Sequence, residues 1–452
     1  MQRAWISVGG EKRAMKKECF REFIRYASLN VLGMIGLSCY ILADTFFVSK
    51  GLGANGLAAL NLALPVYCVI HGVGLMIGMG GGTRYAIQRA QGDAAGGAFS
   101  AAVKVMSVFA ALFVCLGIFC SGLIAEWLGA DQEIWKMSKT YLQMLLLFAP
   151  LFMLNNLLLC FIRNDGAPQL SMAAMLGGSF FNIVMDYIFI FPCGMGILGA
   201  VLATGFAPVV SMLIMLPYFL RKKNGFGFAK GAGGKGMIRG IFACGLPSFI
   251  TEASSGAVMA VFNSILLGLE GNIGVAAYGV IANLAMVALS VYTGIAQGAQ
   301  PVFSRYYGEG RAADGRRVLA YAATSVLAVS AVIYGCIFFA APQIARIFNS
   351  EQNALLQELS VQGMRLYFIA CPFAGITVVL SAYFAAVGRA RPAQLLSAMR
   401  GFAVIIPMAF LLSYAAGVLG VWCAFPAAES VTCAVGLGIY LQSRVKKKSV
   451  RA

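Results

Sequence analysis

Histidine occurs once in 452 residues, at His71, and charged side chains make up only 11% of the chain. A single histidine excludes H-E-x-x-H and every two-histidine metal site. There is no G-x-S-x-G elbow. The glycine-rich stretch ending in Gly234-Lys235-Gly236 fails the phosphate-loop pattern, because glycine follows Lys235 and Ala229 stands where the first glycine belongs. No enzyme activity and no ATP hydrolysis are expected, so any work must draw on an ion gradient or a partner. Twelve cysteines are present, but none in C-x-x-C spacing, and most lie inside apolar runs. They read as small buried side chains and not as disulfides or metal ligands.

A soluble chain would carry about 25% charged residues; this one is 60% hydrophobic. Apolar runs long enough to cross a hydrocarbon core of about 30 Å recur twelve times. They lie near 23–48, 57–80, 98–121, 138–161, 168–191, 196–220, 241–268, 275–299, 318–340, 361–386, 393–414 and 418–442. The expected fold class is an all-α membrane protein.

Charge placement tests that count. Alternate loops and both termini hold 27 of the 34 basic residues, from Arg3, Lys12 and Arg13 through Arg84, Arg89, Arg163, Arg221, Lys222, Lys223, Lys230, Arg305, Arg311 and Arg389 to Arg444, Lys446, Lys447, Lys448 and Arg451. The opposite loops hold only Lys50, Lys136, Lys139 and Arg346. The positive-inside rule then orients both termini to the cytoplasm of a multi-pass plasma-membrane protein. The net charge of +17 is explained by this pattern and by anionic inner-leaflet lipids, and no nucleic-acid partner is expected. The polar, basic first 20 residues do not read as a cleavable leader.

The chain is one unit written twice. Residues 53–112 align without a gap to the sequence 218 positions later. Gly56-Leu57-Ala58-Ala59 returns as Gly274-Val275-Ala276-Ala277, and Gly92-Asp93-Ala94-Ala95 as Gly310-Arg311-Ala312-Ala313. Phe148-Ala149-Pro150 matches Ala370-Cys371-Pro372, and Gly196-Ile197-Leu198-Gly199 matches Gly417-Val418-Leu419-Gly420. Repeats of this kind build transporters. The expected organisation is a cytoplasmic segment 1–22, an N-lobe 23–220, a basic glycine-rich linker 221–240, a C-lobe 241–442 and a basic tail 443–452. Six spans per half make the pseudo-twofold axis run along the membrane normal. Glycines at 74, 78 and 82 allow close helix contact, and prolines inside spans, Pro65, Pro150, Pro208, Pro247, Pro372, Pro407 and Pro426, bend them.

Four acids sit deep in spans: Asp44, Asp186, Glu252 and Glu429. Each costs about 2.5–3.5 kcal/mol on insertion scales if charged and unpaired. Asp44, Asp186 and Thr204 lie about 6–12 Å inside the outer boundary by helical rise, and Asn182 shares a face with Asp186 one turn away. Two carboxylates, an amide and a hydroxyl at one depth suit a proton or Na⁺, and the two acids are expected to titrate as a pair. A purely structural polar cluster is the alternative. Asn155 and Asn156 of span four are candidates to line the same cavity. Glu252 and Glu429 lie near mid-span, and Arg400 is the one basic residue that deep. These three read either as a cationic-substrate or second ion site, or as a structural ion pair. His71 reads as a packed polar residue or a proton relay.

Several stretches resemble the multidrug and toxic compound extrusion (MATE) family. Ala43-Asp44-Thr45-Phe46-Phe47-Val48 with Gly53 and Leu57-Ala58-Ala59-Leu60 is similar to the end of its span one, and Asn182-Ile183-Val184-Met185-Asp186 to its span-five motif. Gln300-Pro301-Val302-Phe303-Ser304-Arg305-Tyr306-Tyr307-Gly308 looks like its span-eight exit, and Arg163-Asn164-Asp165-Gly166-Ala167-Pro168 like a loop of the Gram-positive multidrug-exporter-like branch. The resemblance implies a monomeric H⁺- or Na⁺-coupled antiporter that exports cationic or amphiphilic drugs from a cavity between two six-helix lobes. It implies no other cofactor. It places the coupling ion at Asp44 and Asp186, with Asn182 and Thr204 as co-ligands and Tyr40 nearby. Some branches use a span-seven glutamate, a role open to Glu252. The span 361–386 has no Asp or Glu where another branch carries one, which favours coupling in the first lobe. Two rival readings are a flippase for lipid-linked precursors, which calls for a deeply cationic cavity, and a non-transporting sensor or assembly subunit.

Overall fold

A computed structural model describes residues 2–92, 96–229, 234–349 and 353–449, without the side chains of 2–15, 54 and 444–449. The repeat residues Asp93-Ala94-Ala95, Lys230 and 231–233 of the linker, the side chains of Arg3, Lys12 and Arg13, and the basic side chains of the tail lie outside the described residues.

All regular structure among the described residues is helical. Among the described residues, twelve membrane-length helices follow the apolar runs. They are α1 (Lys16–Gly53), α2 (Asn55–Gln91), α3 (Gly96–Phe119), α4 (Trp135–Leu147 bent by 45° into Ala149–Asn164), α5 (Pro168–Ile190) and α6 (Gly196–Leu220). Lys235–Gly308 breaks at Gly271 into α7 (235–270) and α8 (272–308). After α9 (Ala312–Phe348) and α10 (Ala354–Ala386), Ala390–Ser443 breaks at Ala416 and Gly417 into α11 (390–415) and α12 (418–443).

The repeat seen in the sequence is written into the backbone. Gly53 (φ 67°) and Gly271 (φ 61°), 218 positions apart, break the first hairpin of each half at the same point. Gly196 (φ 62°) and Gly417 (φ 56°), 221 apart, open the last helix of each half. A side chain at such a positive φ costs roughly 1–2 kcal/mol, so these glycines fix where these turns fall.

The chain forms two compact units, Leu32–Val258 and Met1–Val31 with Met259–Ala452. Their bounds depart from the expected 23–220 and 241–442 at the basic ends of α1 and α7. The cause is close helix packing. In the first unit, Gly80 of α2 lies against the backbone of Ile241, and Gly245 of α7 against that of Met76, too close for any Cβ. In the second unit, a Cβ on Gly298 of α8 would stand 2.7 Å from Cα of Ala27, and one on Gly294 2.7 Å from Cα of Val31. Asn30 Nδ2 also donates to the Gly294 carbonyl at 3.0 Å. Positions 27 and 245 are 218 apart, as are 80 and 298, so the repeat builds the same seam twice.

Elsewhere in unit Leu32–Val258, the α2 glycine face meets α4 as its spacing requires. A Cβ on Gly78 would lie 2.9 Å from the Asn156 carbonyl, and one on Gly82 2.6 Å from Asn164 Nδ2. After α4, the buried Asp165 ties three segments together. Its carboxylate accepts from Tyr85 Oη at 2.5 Å, Tyr218 Oη at 2.6 Å and the Gly225 N–H at 2.8 Å, and pairs with Arg89. The first part of the linker is thereby pinned to α2, α4 and α6. Phe226 beside it packs against Tyr85, Phe99 and Phe161.

Candidate functional site

Burial without a counter-charge marks the site. Asp44 on α1 is 7% exposed and Asp186 on α5 is 0% exposed. No basic side chain is recorded against either among the described residues, yet Asp186 lies within electrostatic reach of Asp44. One oxygen of each, Asp44 Oδ1 and Asp186 Oδ1, lacks a hydrogen-bond partner among the described residues.

The groups around the acids come from three further positions. Asn182, one turn before Asp186, is fully buried. With its amide nitrogen turned to Asp186 Oδ2 at 3.1 Å, its oxygen accepts the Thr204 N–H at 3.2 Å, and both ends are satisfied. Thr204 on α6 donates its hydroxyl to the Ala200 carbonyl at 3.1 Å, the usual resting place of a helical threonine. Tyr141 on α4, absent from the sequence-based set, lies in reach of both acids and hydrogen-bonds to Thr204. A tyrosine in an apolar span carries no periodic signal. Its only clue was depth, since it lies near the end of α4 that meets the ends of α1 and α5 carrying the two acids.

Helices α1, α4, α5 and α6 therefore converge on two carboxylates, one amide and two hydroxyls. A hard monovalent cation takes such oxygens, and so does a proton shared between carboxylates. The orphaned oxygens are where it would bind. A charge buried there without a partner would cost several kcal/mol.

Tyr40 extends the site inward. Its hydroxyl lies 2.8 Å from that of Tyr67, and Tyr67 stacks on His71 with ring centroids 5.7 Å apart. His71 Nδ1 is 3.5 Å from Glu252 Oε2. Glu252, from the second half of the sequence, thus joins a polar chain that ends one turn from Asp44, and lies within electrostatic reach of Tyr40. Sequence alone did not connect them, because the link depends on how α7 packs against α2. Of the two span-four amides, Asn156 is buried against Gly74 and Gly78 of α2. The neighbouring Asn155 Oδ1 is buried with no hydrogen-bond partner among the described residues.

Arg400 and Glu429 lie in the other unit and pair with each other, Nε to Oε1 at 2.7 Å. Glu252, read together with them in the sequence, takes no part in this pair and lies beside His71. Glu429 is 1% exposed.

The MatE family model matches residues 31–188 and 247–426. Multidrug export protein MepA of Staphylococcus saprophyticus is 26% identical over 434 residues, 94% of each chain, and that of Staphylococcus aureus strain MSSA476 is 25% identical over the same share. Among solved structures, a MOP superfamily transporter from Pyrococcus furiosus aligns with a TM-score of 0.87 at 24% identity, over 95% of this chain and 96% of that one. An outward-facing multidrug resistance MATE family transporter aligns at 0.86 with 25% identity and the same coverage.

Proposed function

The chain belongs to the MatE family, and on that premise we propose that it is a secondary active antiporter that exports cationic or amphiphilic compounds from the cell in exchange for H⁺ or Na⁺. The observation that carries this reading is the pair of buried carboxylates, Asp44 and Asp186, each with an orphaned oxygen. The names of the relatives that match over 94% of the chain, multidrug export proteins, support drug export.

Mechanism follows from charge burial. With a cation or proton between them, Asp44 and Asp186 carry one net negative charge in place of two, their repulsion is relieved and α1 packs closely on α5 and α6. Without it, two carboxylates in low dielectric repel each other and attract a cationic substrate. Asn182, bonded to both Asp186 and Thr204, anchors the Asp186 carboxylate between α5 and α6, so ion arrival acts on the helix positions. The ion drives the cycle only because its affinity differs between inward-open and outward-open states. Tyr40, Tyr67, His71 and Glu252 extend the polar surface along which a lipophilic cation would rest. The membrane potential adds about 2.3 kcal/mol per charge per 100 mV. The flippase reading calls for a deep unpaired cation, and Arg400 spends its charge on Glu429.

Ethidium efflux from loaded vesicles under imposed H⁺ or Na⁺ gradients tests this. Asp44→Asn and Asp186→Asn should each abolish gradient-driven efflux in protein that still elutes as a single species. Unchanged efflux in both variants removes the coupling site.

A further inference from the structure

The two halves share a backbone plan, but their polar groups differ. By the 221-residue offset that relates Gly196 to Gly417, Asn182 corresponds to Ala403 and Asp186 to Pro407, while Thr204 corresponds to Phe425. By the 218-residue offset of Gly53 and Gly271, Asp44 corresponds to Phe262. The second half therefore keeps none of the four ion-site side chains at its equivalent positions.

It keeps one buried acid between the equivalent two helices. Arg400 corresponds to Ser179 and Glu429 to Pro208, each about one turn from the equivalents of Asn182 and Thr204. Arg400 reaches Glu429 from a π-helical turn, Met399–Ala403, so a local widening of α11 carries the guanidinium, itself 13% exposed. Glu429 Oε2 has no hydrogen-bond partner among the described residues and does not touch solvent. The charged and titratable groups within electrostatic reach are Arg400 on α11, Tyr367 on α10 with Tyr278 of α8 behind it, and Cys433 one turn along α12. Tyr367 stacks on Phe425, the residue standing in place of Thr204, with ring centroids 4.5 Å apart.

We propose that Arg400 is a resident counter-cation: it occupies for Glu429 the place that an exchangeable ion takes at Asp44 and Asp186, and so fixes the ion stoichiometry of the cycle at what the first half binds. This rests on the proposed antiport function. A guanidinium tethered by its own backbone cannot leave, so Glu429 needs neither a proton nor Na⁺ in either half of the cycle. An unpaired carboxylate at the same place would bind one or the other, because an isolated charge at that depth is costly.

The test counts ions bound per chain on purified protein in lipid nanodiscs, by ²²Na⁺ binding and by proton release in weakly buffered solution. Removing both partners of a buried pair with isosteres is well tolerated, so the Arg400→Met/Glu429→Gln double variant is the first measurement. It should bind as many ions as the native protein. Arg400→Met alone should bind one more Na⁺ or proton per chain, and Glu429→Gln added to it should remove that extra ion. A double variant that binds one ion fewer than native, or a folded Arg400→Met protein with an unchanged count, overturns the proposal. Asp44→Asn serves as the separate control. If it leaves the native count intact, the first-half site is wrong, while the ion gained by Arg400→Met still reads Glu429 independently.

Discussion

Replacing Asp165 by alanine should release the linker between the two halves. Three donors end on its carboxylate, Tyr85 Oη, Tyr218 Oη and the Gly225 N–H, in addition to Arg89. Arg89 is 51% exposed and can resolvate at little cost, whereas Tyr85 is fully buried. A donor left unpaired costs about 1–3 kcal/mol, the upper end applying where it stays buried. Tyr85 belongs near the upper end, the solvent-facing Gly225 near the lower and the half-buried Tyr218 between them, for a total of about 5–6 kcal/mol. The part that holds the linker is the bond from Gly225 to the charged oxygen, worth about 1.5–3 kcal/mol. Tenfold corresponds to about 1.4 kcal/mol, so local opening of 221–229 should become about 10- to 100-fold more populated. Trypsin cleavage after Lys222 and Lys223, followed in nanodiscs, reads that population. Asp165→Asn keeps one acceptor oxygen and should fall between native and Asp165→Ala. Equal cleavage rates for native and Asp165→Ala would refute the reasoning.

The two glycine seams give paired expectations. Gly80→Leu should lower the melting temperature and gradient-driven efflux together, because the facing atoms are backbone of α7 and cannot yield; overpacking typically costs about 1–3 kcal/mol, and rigid neighbours push the figure up. Gly298→Leu should match it in size against Ala27 of α1, and a melting temperature unchanged in either variant counts against the packing derived for that seam.

The spans were legible because hydropathy needs no partner to be read, and the repeat because the glycines that break the helices must hold positive φ at equivalent positions. Gly53 with Gly271 and Gly196 with Gly417 carry both signals at once. Depth along each helix brought Asp44, Asp186, Asn182 and Thr204 to one level, and the structure places Asn182 against both Asp186 and Thr204. What sequence missed depends on helix-to-helix contact. Tyr141 looks like any aromatic in an apolar run. The chain from Tyr40 through Tyr67 and His71 to Glu252 requires α7 to pack on α2. Arg400 had two acids of similar depth to choose from, and only the fold selects Glu429 over Glu252. The loop aspartate Asp165 belonged to a motif read as likeness, while its role as a tie between three segments comes from tyrosines far away in the chain.

The central claim is that ion and substrate compete through Asp44 and Asp186. Ethidium affinity of the purified protein, measured by fluorescence anisotropy while H⁺ or Na⁺ is raised, tests it most directly, because coupling between two ligands must be reciprocal. The expected result is an affinity that falls as one of these ions rises in the native protein and no longer responds in Asp44→Asn/Asp186→Asn. A native affinity indifferent to both ions, with ethidium still bound, would contradict it.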